Sequence, residues 1–303
     1  MQTDHWPADA VAAVTHPDPY PYYATLAKDR APRHDARLGL WVAAHPDTVR
    51  EVLAHPDCRV RPAHEPVPLA LAGPAGSLFG ALVRMNEGER HVAPKAALQR
   101  ALAALPPALV AGQADRVAAG MAAETSDAAA LNAFVAGVPV RIVAGLLGFA
   151  DRQLPQVAAW VGAYVACLSP LASAGDIAAA HGAAAALQGA LRELVQAAPA
   201  HGLLADVLGK PWYDEHALLA NLAGLLAQTH EATAGLLGNC IVARLRGAAD
   251  DTAALVPLVA ASDPAIHNTR RFTSGAVAVG GAHVPAGQAI LLVLAGSAGF
   301  GHG

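Results

Sequence analysis

The run from Ala217 to Arg246, ALLANLAGLLAQTHEATAGLLGNCIVARLR, constrains this chain more than any other. It contains no proline and is dense in Ala and Leu, the strongest helix formers, so it predicts one long helix. Apolar residues fall on every face, which predicts a helix buried all round. A polar knot sits in its middle: Gln228, Thr229, His230, Glu231 and Thr233. In otherwise dry surroundings the Glu231 carboxylate is costly unless it is paired, hydrogen-bonded or protonated. That makes Glu231 a candidate functional group; the alternative is a core helix whose polar groups bond to neighbouring loops.

Composition sets the frame for that helix. Of 303 residues, 54% are hydrophobic and 15% charged, which excludes a disordered chain and allows a large core. The abundance of alanine favours a mostly helical fold, and the length allows one large domain or two. A net charge of −4 with no long basic run argues against a nucleic-acid partner. The opening MQTDHWPADA lacks the basic and apolar regions of a secretion signal. No window of about 18 residues is expected to be cleanly apolar, because Asn221, His230, Glu231 and Asn239 interrupt the best candidate; this argues against a membrane partner. Cys58, Cys167 and Cys240 are far apart and odd in number, which reads as reduced thiols in a cytoplasmic protein.

Along the chain, a short helix is expected near Tyr22 to Asp29, a strand over Arg37–Ala44 and a helix over Pro46–Ala54. Arg61–Gly76 is proline-rich and reads as a long loop, either a binding loop or a surface linker. A turn at Asn86–Gly88 precedes a helix with a basic start. From Leu105 to Pro199 Ala-rich helices follow one another, with breaks near Pro106-Pro107, Thr125–Asp127, Gly148–Asp151, Ser169-Pro170 and Pro199. Trp160, Tyr164 and Leu168 form a stripe at helical spacing, suited to core packing or to a substrate lid. AVAVGGAHVPAGQAILLVLA alternates and turns at Gly280-Gly281, which predicts a hairpin and then an apolar strand. No phosphate loop, H-E-x-x-H or G-x-S-x-G is present.

Several segments together resemble the bacterial cytochromes P-450. QTHEATAGLLGN resembles the family's central I helix, RMNEGERH the entry to its C helix, VRIVAGLLGF its E helix, and SDPAIHNTRRF its turn into the main sheet. The resemblance spans roughly Thr15 to Gly303. It implies a mainly α fold with small β-sheets, the cytochrome P-450-like fold, C-terminally incomplete, with residues 1–303 as a single domain. It implies that Glu231 assists proton delivery. The family's relay threonine position is Ala232, with Thr233 one step further on. His91 and Lys95, four apart on one helix face, would meet the haem propionates together with Arg271, which could otherwise be surface charge on an edge strand. Ala227, Ile266 and His267 would line the substrate pocket, and Ala265 would stand beside them.

Two departures accompany these matches. LVPLVAASDP (Leu255–Pro264) stands where the family carries E-x-x-R. Phe300-Gly301-His302-Gly303 matches the opening of the haem-binding loop, whose axial cysteine is not present. The last helix of the family normally covers the central one. Its loss forfeits on the order of 10 kcal/mol of burial and predicts an exposed apolar patch on the central helix that a protein partner would cover. The implied activity is haem-dependent monooxygenation of a small, largely apolar molecule in secondary metabolism, with electrons from a ferredoxin and its reductase. The alternative is a haem-free accessory protein that stabilises a partner enzyme. A further one is a haem-free enzyme using His230 and Glu231 as acid and base.

Overall fold

A computed structural model of the chain describes residues 6–122, 127–169, 172–248 and 251–295. In chain order it gives α1 (Tyr20–Leu26), β1 (Arg33–Asp35), β2 (Leu40–Ala43), α2 (Pro46–Ala54) and β3 (Cys58–Arg59). A helical stretch follows: α3 (Pro74–Ala81), α4 (Glu89–Ala103), α5 (Pro107–Ala122), α6 (Ala128–Leu147), α7 (Leu154–Ala166), α8 (Ala174–Gln196) and α9 (Leu203–Leu208). Next come α10 (Glu215–Gln228), a π-helical turn (Thr229–Thr233), α11 (Ala234–Leu245) and α12 (Thr252–Ser262). The last elements are β4 (Asn268–Thr273), β5 (Val277–Val279), β6 (Ala282–Val284) and β7 (Ala289–Val293). The chain divides into two compact units, Val67–Gly238 and the pair of segments Met1–Pro66 and Asn239–Gly303.

The continuous unit is helical. Its core is built from Ala, Val and Leu of α5 to α10, with Tyr164, Leu187, Leu191 and Leu222 among the side chains sealed from solvent. Its helix boundaries follow local chemistry. Pro107 opens α5, where a missing N–H costs nothing. The Asp127 side chain caps α6 by accepting from the Ala130 N–H, and Gly148 ends it at φ 110°. Ser173 and Asp176 form a reciprocal capping box at the start of α8, which stops at Gln196, ahead of Pro199. Thr125 and Pro170, two of the expected break positions, lie outside the described residues.

The discontinuous unit carries the sheets. A five-stranded sheet has the order β1-β2-β7-β4-β3, with β2 and β7 parallel and the other pairs antiparallel. Every β7 residue from Ile290 to Val293 is buried, as a central strand covered on both faces requires. β5 and β6 form the expected hairpin, with Gly280 and Gly281 both at positive φ. A Cβ on Gly280 would stand 2.3 Å from the Arg30 carbonyl oxygen, so no other residue fits there.

Three expectations need correction. The strand expected over Arg37–Ala44 is shorter, because the Asp35 carboxylate accepts from the Arg37 and Leu38 N–H groups and makes residues 36–39 a turn. The loop expected over Arg61–Gly76 ends early. Leu69–Leu71 is a 3-10 turn, and Pro74 starts α3 at a position where proline is preformed for a helix. Finally, α6 is long and apolar enough to cross a membrane by length and composition, with mean hydropathy 1.8. It packs against α5 and α7 and sends Val138, Val140, Ala144 and Leu147 into the core, while carrying Arg141.

Candidate functional site

The long helix expected over Ala217–Arg246 forms, but in three parts. In α10 every residue from Leu218 to Ala227 is buried, against α3, α6, α7 and α8. Ala227, an expected pocket residue, closes this buried run. The helix then unwinds locally into the π turn, where the Ala234 N–H reaches back five residues to the Thr229 carbonyl. Such single π turns concentrate at functional sites. Gln228 and Thr229 spend their side chains on the helix itself, bonding the Gly224 and Leu226 carbonyls.

Glu231 is exposed, and so is Thr233. The expectation of a carboxylate in dry surroundings fails here, because Glu231 and Thr233 fall on the solvent side of the π turn. His230, not Glu231, points inward. Its ring lies against α7, where a Cβ on Gly162 would sit 3.4 Å from Nε2, and its Nδ1 is buried without a partner among the described residues. Burial pushes the His230 pKa down, partly offset by the neighbouring Glu231 carboxylate.

His91 and Lys95 share one face of α4, which continues through Pro94. His91 is half-buried and Lys95 exposed. The His91 Nδ1 lies 2.8 Å from the Val83 carbonyl oxygen. A carbonyl only accepts, so Nδ1 carries the hydrogen and Nε2 is left for another partner. Val83 is itself held from α10: its N–H donates to Asn221 Oδ1 at 2.7 Å, while Asn221 Nδ2 donates to the Ala81 and Ala217 carbonyls. Asn86 closes the same corner by donating to the Gly80 and Leu82 carbonyls. Sequence reasoning noticed Asn221 only as a break in an apolar run. A lone amide inside an otherwise Ala/Leu helix was the available signal, since a buried amide demands partners.

The remaining expected residues belong to the discontinuous unit. Ile266 is 43% exposed in the turn before β4. The His267 ring stands edge-on to Tyr23, with Nδ1 2.9 Å from the tyrosine oxygen, and burial pushes its pKa down. Burial also pushes the Tyr23 hydroxyl up to about 12, which keeps it protonated for this bond. Beside it Tyr20 donates to Asp263, whose backbone carbonyl accepts from Asn239 of α11. The Leu294 and Ala295 N–H groups both converge on the His267 carbonyl. Arg271 lies half-buried on β4 opposite Ile290, with one guanidinium nitrogen on the Arg270 carbonyl. Ile266, His267 and Arg271 thus sit on one short, heavily tethered segment, as His91 and Lys95 do on theirs.

The residues of the departing motifs divide. α12 contains Pro257 and no charged residue, so no buried ion pair exists in that helix. Phe300–Gly303 lies outside the described residues. All three cysteines are unpaired and buried. Burial pushes each thiol up in pKa, and Cys167 donates to the Tyr164 carbonyl. Among the described residues no group of three or more metal-ligating side chains occurs.

Comparison with protein-family profiles and with curated sequences returns no match. Solved structures do match. CalO2 superposes with a TM-score of 0.79 at 20% identity, covering 96% of this chain and 77% of its own. P450 RauA, solved with a biosynthetic intermediate of aurachin RE, gives 0.76 at 17% identity over 95% and 80%. P450BioI, solved with an acyl carrier protein ligated to hexadec-9Z-enoic acid, gives 0.75 at 15% identity over 93% and 77%. The fold is that of the cytochromes P450. In P450 terms, the mainly helical architecture with small sheets expected from the sequence is the one observed.

Proposed function

We propose that this chain is a haem-binding protein of the cytochrome P450 kind, related to monooxygenases of small, largely apolar molecules. The observation that supports it is the His91–Lys95 face of a P450-like fold. One ring nitrogen of His91 is anchored on Val83 and the other is left for an anion, with a lysine one helical turn on. The resemblance gives Arg271 of β4 the same role. The charges of His91 and Lys95 suit the propionates of haem. The described thiols do not fit its iron, because each is buried and held protonated.

When bound, haem supplies the redox chemistry of the family. The chain's own residues orient it and shape its surroundings. Asn221 positions Val83 and thereby His91. Ala227 and Ile266 offer apolar wall, and the tethered His267 holds the turn that presents Ile266. Glu231 and Thr233 would hand protons inward from solvent. A ferredoxin with its reductase would be the electron source, in a cytoplasmic setting suited to three free thiols.

A second reading is a haem-free accessory protein that binds and stabilises a partner enzyme. It is favoured by large apolar side chains left exposed on α11 and α12: Val242, Leu245, Val256 and Leu258. One experiment separates the two. Purified with haem supplied, the chain should take up the pigment, and the double variant His91→Ala/Lys95→Ala should lose most of that uptake. Absence of any haem band, together with stoichiometric co-purification of one protein, would replace the first reading with the second.

A further inference from the structure

A cleft of about 310 Å³, with an exposed rim that includes Arg116, lies in the helical unit where α5, α6 and the start of α7 meet. Its polar wall is built almost wholly of donors. Arg116 and Arg141 both line it. The Arg141 Nε–H is buried and has no hydrogen-bond partner among the described residues. It lies against Gly137, where a Cβ would stand 3.8 Å from Nε and 3.1 Å from the Met121 methyl. Next to it, the buried Gln113 amide spends its oxygen on Arg116 and leaves Nε2 unpaired. That nitrogen fills the space over Gly145, where a Cβ would be only 2.0 Å away. One acidic side chain, Asp151, also lines the cavity, but it is exposed and makes no ion pair with either arginine.

Two guanidinium groups against one exposed carboxylate form a site short of negative charge. Buried donors are ordinarily satisfied, and an unsatisfied charged one is the costliest kind. A guanidinium fork matches a carboxylate in a planar, bidentate way. Two cations against Asp151 leave one net positive charge, which suits a monoanion. Val117, Met121, Leu154 and Pro155 supply the rest of the wall, so the body of the ligand should be apolar. The volume is at the small end for ligand pockets.

We propose that this cavity binds a compact monocarboxylate with an apolar body, held by Arg116 and Arg141. The site is independent of the haem reading, because every residue in it lies on α5, α6, the 3-10 turn at Asp151–Gln153 or the start of α7.

The test is titration calorimetry of the full chain with benzoate, benzyl alcohol and inorganic phosphate as probes. Benzoate is expected to bind saturably. Arg141→Met and Arg116→Met should each weaken it roughly tenfold, the size of one lost bidentate contact. Asp151→Asn should tighten it. Gly120→Leu should abolish it by filling the cavity; a Cβ there meets nothing within 4 Å, and leucine is the better helix former, so folding is preserved. No benzoate binding by the wild-type chain would overturn the proposal. So would benzoate binding that survives both Arg141→Met and Gly120→Leu. Equal affinity for benzyl alcohol or for phosphate would overturn the choice of ligand.

Discussion

The two halves of the central helix are both apolar and both helical, but they differ in burial. α10 buries every residue from Leu218 to Ala227, with Leu222 and Leu226 fully sealed. Past the π turn, α11 leaves Val242 43% and Leu245 80% exposed. Alanine and leucine content set the propensity to be helical in both. What differs is whether facing helices exist on all sides, which α10 finds in α3, α6, α7 and α8. Helix propensity and burial are separate questions, and the π turn is where their answers part.

The contrast can be broken most directly by truncating leucines on either side of that turn. Leu226→Ala should cost about 3–4 kcal/mol in a urea titration, because the surrounding helices cannot collapse onto the void. A loss under about 1 kcal/mol would show α10 to be loosely packed. Asn221→Leu should cost about 2 kcal/mol, since it leaves the buried Val83 N–H without its acceptor. It should also loosen His91, visible as a change in that ring's NMR signals; an unmoved ring would remove Asn221 from the chain of support.

The helix junction itself should titrate. Burial holds the folded pKa of His230 below its unfolded value. The unfolded chain therefore takes up the proton first, so stability is complete above about pH 6.5 and falls as the pH drops toward the folded pKa. His230→Gln should flatten this acid limb in thermal melts between pH 7 and 5, and an unchanged slope would assign the limb to other groups such as His267. The smallest effect belongs to α11: Leu245→Ala should stay within about 0.5 kcal/mol of the parent, as exposed positions do. A larger cost would reveal a covering contact on that helix in solution.

Most of the architecture could be read from the sequence, for reasons that differ by region. Helix ends were legible because proline, glycine and Asp or Ser caps act locally, as at Pro107, Gly148 and Ser173. The hairpin was legible for the same reason, through Gly280-Gly281. The start of α3 was not, since Pro74 reads as a loop residue until its position as the first helical residue is known. The placement of Glu231 was not legible either. Periodicity assumes 3.6 residues per turn, and one π turn shifts every later side chain off the expected face. His91 and Lys95 were assigned by motif, whereas Asn221, which holds Val83 and through it His91, makes its contacts to residues far away in sequence.

The parallel pairing of β2 with β7 joins Trp41 to Ile290, nearly the full length of the chain apart. During synthesis, β2 must therefore wait for its central neighbour until the whole helical unit has been produced. Such distant pairings raise contact order and slow closure. A strand made before the helical unit is secured only after it, and chaperone dependence should concentrate there.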